Sequence, residues 1–202
     1  MSACVAAAAC ARNGDPVRSK GTDESLSPLG REIAWLGDLH QPEGVKYDPD
    51  LDVFFISNMV GYGSDHDGNG YIVEASAGDL ANAKIFAESG KAGAVLDAPK
   101  GMTLHGDTLW VADIDVLRGF NRKTGLPVAT IDLRPLGAVL LNDVTVGGDG
   151  AIYITPSNVI GPADIGFDTR RNRVAVPVGL LNQVQLWQMP SEISNQGDSG
   201  NF

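Results

Sequence analysis

Cysteine is nearly absent: the 202-residue chain has two, Cys4 and Cys10, both before the folded part begins. That excludes a disulfide framework and a Cys/His zinc cluster. No run approaches the roughly 18–20 apolar residues of a membrane-spanning helix. Basic residues are in deficit, with 15 Lys and Arg against 25 Asp and Glu and a formal net charge of -10. An acidic surface argues against nucleic acid or an anionic membrane as principal partner, because both call for a basic face. No amphipathic stretch is long enough for a confident helix, although 77–86 could hold a single turn. What remains is a turn-rich composition, 43% hydrophobic with 25 scattered glycines, typical of a folded domain and not of a disordered one.

The first eleven residues are small and apolar, and 12–27 turn polar, with Pro, Gly and charges. This pattern reads as the end of an export signal and a linker. Ala7-x-Ala9 fits a signal-peptidase site, and Ala-Ala-Cys10 partly fits a lipid-anchor site. The expected division is therefore a leader and linker at 1–27, one domain at 28–190 and a polar tail at 191–202. The expected location is periplasmic or extracellular, either released after cleavage or anchored by a lipid at Cys10, and the plainer alternative is an Ala-rich terminus with no export role.

The domain repeats one phrase. Leu141–Asn158 sets Asn142-Asp143 before an alternating strand, a Gly-Gly-Asp-Gly turn and a second strand. Two strands about a tight Gly/Asp turn read as a β-hairpin. Residues 44–58, 101–113 and 164–176 have the same form. The first two copies are each followed by two further short strands, at 71–74 and 83–87, then at 116–120 and 128–133. Four short antiparallel strands per roughly 40–45 residues is the period of a β-propeller blade. Each phrase supplies the inner two strands. The third copy breaks the pattern: 155–162 runs directly into the fourth hairpin, so this blade is abbreviated or sequence is absent there. The fourth copy has one further strand, 182–187, and the segment 32–36 from the other end is the candidate for its missing outer strand. The expected fold is thus all-β, a propeller of about four blades whose last blade is completed by a strand from the other end, either as a closed ring or as an open partial propeller.

Pro-Glu-Gly-Val at 42–45, Ala-Pro-Lys-Gly-Met at 98–102, Leu-Trp-Val-Ala-Asp at 109–113, Asn-Asp-Val at 142–144 and Ala-Asp-Ile-Gly-Phe-Asp at 163–168 resemble exported bacterial members of the senescence marker protein/gluconolactonase/luciferin-regenerating enzyme family. The resemblance runs from about Pro42 to Trp187. That family is a six-bladed propeller, which needs roughly 240–270 residues, so this chain resembles an internally shortened member.

Residues just before each innermost strand crowd one mouth of a propeller channel. Here they are Glu43, Lys100, Asn142-Asp143 and Asp164. Carboxylate and amide oxygens meeting there suit Ca²⁺, Mg²⁺ or Mn²⁺, and sometimes Zn²⁺. The resemblance implies a metal-dependent hydrolase of a small sugar-type lactone. Glu43, Asn142 and Asp164 then resemble the metal ligands, with Asp143 as ligand or general base. Lys100 would steady an oxyanion or a product carboxylate. The same residues also allow a plainer account, since Asn and Asp before a strand often bond their own backbone. A non-catalytic propeller that binds a ligand or a protein, its activity lost with the missing blades, is the alternative. Asp65, Asp67 and Asn69, followed by Gly70, resemble the start of a calcium loop, but the closing Glu position holds Ser76, and a hairpin loop overhanging the mouth is the competing account. Gly197-Asp-Ser-Gly200 spells a serine-protease tetrad without its context, and no G-x-S-x-G elbow is present.

Overall fold

Strands alternate with short turns throughout the computed structural model, which describes residues 31–146, 151–156, 166–168, 170–178 and 182–188. Asp164, Cys10 and most of the 155–162 junction lie outside the described residues. The strands are β1 (Arg31–Leu36), β2 (Pro42–Asp48), β3 (Val53–Asn58), β4 (Tyr71–Ser76), β5 (Ala83–Glu88), β6 (Pro99–His105), β7 (Thr108–Asp113), β8 (Val116–Asn121), β9 (Pro127–Asp132), β10 (Leu141–Val146), β11 (Ile152–Pro156), β12 (Gly166–Asp168), β13 (Arg173–Val178) and β14 (Gln183–Gln188). Among the described residues the only helical element is one 3-10 turn, Arg134–Leu136.

The strands form four antiparallel sheets. The first blade is β2-β3-β4-β5 and the second is β6-β7-β8-β9. A half blade follows, β10-β11, two-stranded among the described residues. The last blade is β1-β14-β13-β12: β1 from the start of the domain pairs antiparallel with β14, Trp35 opposite Gln185. The segment from the start of the domain thus supplies the outer strand that the last blade lacked, and it covers the free edge of β14.

The blades stack face to face, with a core between each neighbouring pair. Val45, Tyr47, Phe54 and Ile56 of the first blade pack against Ala175, Val184 and Leu186 of the last. On the opposite face, Phe55 and Ile72 pack with Met102, Leu109, Val111 and Phe120 of the second blade. Ala112 and Leu117 meet Leu141 and Val144 of the half blade. The run Val53-Phe-Phe-Ile56 explains the geometry. Successive strand residues point to opposite faces, so an unbroken apolar run belongs to a sheet covered on both sides. The sheet order, the stacking and the shared orientation of the inner strands make the chain a β-propeller-type protein.

At the ends of the inner hairpins, arginines tie the blades together. Asp48 is fully buried, and its Oδ1 accepts the Asp50 and Leu51 amides. Arg122 of the second blade reaches it with Nη1 at 2.9 and 3.0 Å and reaches Asp50 with Nη2 at 2.8 Å. Asp168 repeats the arrangement in the last blade. It is fully buried, caps the Arg170 and Arg171 amides, and receives Arg171 Nη1 at 2.9 Å. Arg171 also holds Asp52 of the first blade with both amino groups. The Tyr47 hydroxyl donates to Asp52 at 2.9 Å.

Candidate functional site at the propeller mouth

The opposite end of the inner strands is irregular in the same way three times. Between β2 and β3, Pro42 faces Asn58 but Val45 already faces Ile56, so the inner strand holds one extra residue at Glu43-Gly44. Between β6 and β7, Pro99 faces Asp113 and Met102 faces Val111, with the extra residue at Lys100-Gly101. Between β10 and β11, Leu141 faces Pro156 and Asp143 faces Thr155, with Asn142 unmatched. An extra residue bends a strand and re-aims the side chain at that point. Glu43, Lys100 and Asn142 therefore occupy equivalent bulges of three successive inner strands. The sequence reading found these residues but not the bulges, whose trace is the recurring Pro-x-Gly of 42–44 and 99–101.

The glycines let the inner strands close up. A Cβ on Gly44 would stand 2.7 Å from the Lys100 carbonyl oxygen. One on Gly101 would stand 2.5 Å from Asp143 Oδ1 and 2.8 Å from the Asn142 carbonyl oxygen. No real Cβ tolerates such contacts, so the approach of the three mouth strands depends on these two positions. Ser57 spans the first seam: its hydroxyl accepts the Gly44 amide at 2.9 Å and donates to the Lys100 carbonyl at 2.8 Å.

Lys100 lies at the centre of the group and is only 4% exposed. Its ammonium donates to the carbonyls of Gly63, at 2.7 Å, and Ala98, at 3.3 Å. Burial pulls its pKa below that of an ordinary lysine, with the carboxylates of Glu43 and Asp113 acting in the opposite direction. Glu43 is buried as well. Asp143 is half-buried and its Oδ1 accepts the Val144 amide at 2.7 Å. That bond is the local backbone role the plainer account assigns it. Asn142 is half-buried beside it. The structure thus brings Glu43, Lys100, Asn142 and Asp143 to one end of adjacent strands.

The loop 59–70 overhangs this end, as expected. Gly63 covers Lys100, and farther along the Gly68 amide donates to Asp97 Oδ1 at 2.9 Å. His66 stands between Asp97 and Asp115, Nδ1 at 3.3 Å and Nε2 at 3.5 Å. Within the loop, Asn69 donates its amide to Asp67 Oδ2 at 2.7 Å, and the Asp65 amide donates to the Tyr62 carbonyl at 3.1 Å. Among the described residues no three His, Cys, Asp or Glu side chains are grouped so as to hold a metal ion.

Sequence reasoning missed Asp113, which ends β7 where Asn58 ends β3. Fully buried, it accepts the Asp97 and Ala98 amides and Arg118 Nε, the last at 2.8 Å. It fixes the segment leading into Pro99-Lys100. The signal was in the sequence, since both residues close the repeated phrase, but their partners are set by tertiary packing. Backbone strain gathers at this end too. The β-branched Val60 and Ile114 have φ of 52° and 53°, and Gln41, just before Pro42, has 52°. Such outliers cost on the order of 1–3 kcal/mol each and concentrate at functional sites.

No protein-family model matches the chain, and no curated protein matches it. Solved structures do. The chain is similar to a chain of a nidogen/laminin complex, with a TM-score of 0.45 and 17% identity over 76% of this chain and 49% of that one. It is also similar to virginiamycin B lyase from Staphylococcus aureus, with a TM-score of 0.38 and 13% identity over 72% and 51%. The chain thus spans about half the length of either.

Proposed function

We propose that the mouth binds a small oxygen-rich ligand of the sugar-lactone class and hydrolyses it with a divalent metal. The observation that carries this reading is the threefold bulge, which directs Glu43, Lys100 and Asn142 to one end of three adjacent strands. The donor chemistry fits a hard cation: Glu43 and Asn142 offer carboxylate and amide oxygens, and Asp164, outside the described residues, would be the third. When bound, the metal would polarise the lactone carbonyl. Asp143 would take a proton from the attacking water and return it to the ring oxygen as the acyl–oxygen bond breaks, giving the open hydroxy acid. Lys100 has donated two of its three N–H groups to carbonyls, and the third would meet the developing oxyanion or the product carboxylate.

Hydrolysis of a panel of sugar lactones with Ca²⁺, Mg²⁺, Mn²⁺ or Zn²⁺ tests this directly. Turnover should require metal and vanish in Glu43→Gln. Full activity in that variant removes the proposed site. A second reading is binding without turnover, for a ligand or a protein. It is favoured by the clamp of Gly63 over Lys100, which covers the ammonium that the first reading sets against the substrate. Calorimetric binding of a lactone with no hydrolysis at any metal concentration would select it.

A further inference from the structure

A cavity lies away from the mouth, between the last blade and the turn that follows β4 in the first. Its volume is about 440 Å³, within the range of small-molecule sites. One wall is a row of cross-strand partners. Arg31 of β1 stands opposite Gln188 of β14, which stands opposite Arg173 of β13. All three line the cavity. Adjacent strands are about 4.8 Å apart, so the two arginines flank the glutamine roughly 10 Å apart at the backbone, within easy reach of one ligand group.

Arg173 is held in place. Its Nη1 donates to the Ala77 carbonyl at 3.2 Å and its Nε to Gln188 Oε1 at 3.3 Å. Gln188 in turn donates Nε2 to the carbonyls of Arg171 and Asn172, which fixes its amide and hence the arginine. A guanidinium oriented in advance loses less entropy when it meets a planar anion.

The charge pattern is the second observation. Arg118, Arg122, Arg134, Arg170 and Arg171 each pair with an aspartate. Among the described residues, Arg31 and Arg173 have no such ion pair, and they share one cavity. The one carboxylate lining it, Asp79, accepts the Ala81 amide of its own turn. An acidic chain has therefore left its two described arginines without aspartate partners facing one space. Beyond the row, Ile33, Leu80 and Leu186 give the cavity an apolar side, Leu80 and Leu186 being buried.

We propose that this cavity is a binding site for an amphipathic carboxylate, its carboxyl group held between Arg31 and Arg173 and its apolar body against Leu80, Ile33 and Leu186. Arg–carboxylate pairing can be bidentate, which suits a planar head group over a spherical ion.

Titration calorimetry of the whole chain with octanoate tests this, with acetate, octan-1-ol and inorganic phosphate as comparators. Octanoate should bind saturably at one site and more tightly than any comparator. Arg173→Gln and the exposed Arg31→Gln should each weaken it several-fold, and the second keeps the test valid if the first does not fold. Lys100→Met should leave it unchanged, which separates this site from the mouth. Absence of saturable binding overturns the proposal, as does octanoate binding that survives both arginine substitutions. Equal binding of octan-1-ol or of phosphate does so too, since either removes recognition of an amphipathic carboxylate.

Discussion

The two ends of the inner hairpins share one way of holding buried charge, an aspartate that accepts backbone amides and meets an arginine, but the mouth adds a second. At the hairpin turns, Asp48 and Asp168 are buried and each meets an arginine while capping its own turn. At the mouth, Lys100 is just as buried, yet its ammonium is held by neutral carbonyls and burial lowers its pKa. The first end is cement between blades. The second buries a cation against neutral carbonyls, where burial lowers its pKa and the nearby carboxylates of Glu43 and Asp113 oppose that shift.

The sharpest way to break this comparison is to remove one partner at the turn end. Asp48→Ala takes the buried partner of Arg122 Nη1, leaves the guanidinium only the exposed Asp50 and Asp107, and releases two backbone amides. A loss of about 3–5 kcal/mol in urea unfolding is expected, as for other broken buried pairs. A change under 1 kcal/mol would make the arginine network ornamental. Next in size is Gly101→Ala, which pushes a methyl group into Asp143 and the Asn142 carbonyl. About 1–3 kcal/mol of destabilisation is expected, together with loss of any lactone turnover.

A smaller effect separates the ends by pH. The Arg171 guanidinium, helped by the Tyr47 hydroxyl and opposed by burial, holds the Asp52 carboxyl at about 2, below its ordinary 3.8. A depressed carboxyl stabilises the fold above its unfolded pKa, and that stability is lost as pH falls from about 4 through about 2. Denaturant midpoints across that window should decline, and the decline should be shallower in Arg171→Met. At the mouth the sign reverses. Lys100 is harder to protonate when folded, so its charge works against the fold at neutral pH. Lys100→Met is expected to leave stability unchanged or slightly raised, as long as the methionine fits under Gly63. A loss above about 2 kcal/mol would mean that the ammonium is structural after all. The smallest effect is expected at the overhanging loop. Asn69 already satisfies Asp67, so millimolar Ca²⁺ should not move the melting temperature. A rise that Asp67→Asn abolishes would restore the calcium-loop reading.

Much of the fold was legible in the chain. The hairpins at 44–58, 101–113 and 141–156 follow from period-two alternation and tight turns. The pairing of β1 with β14 follows from a repeat that lacked its last strand. The third sheet, two-stranded among the described residues, showed in the chain as a repeat that returned too soon. The candidate site was legible as a set of residue types before inner strands, but its form was not. One extra residue at Glu43, Lys100 and Asn142 has no local signature beyond Pro-x-Gly, because a bulge is defined by what stands opposite. Asp113 and Asn58 looked like ordinary strand ends until the packing gave them partners. Arg122 and Asp48 are far apart in sequence, and no periodicity predicts their meeting.

By itself, then, the sequence determined the local structure: which segments are strands, where they turn, and that three of the four described sheets take four strands each. Those properties depend on side-chain alternation and backbone propensity, which act over a few residues. The tertiary structure decided which buried charges meet a counter-charge and which meet neutral carbonyls. That choice depends on the distance between groups on different blades and on how much water the stacking removes. The repeat brings Lys100 to the mouth, but only the closing of Gly44 onto its carbonyl and of Gly63 onto its ammonium makes it a buried cation.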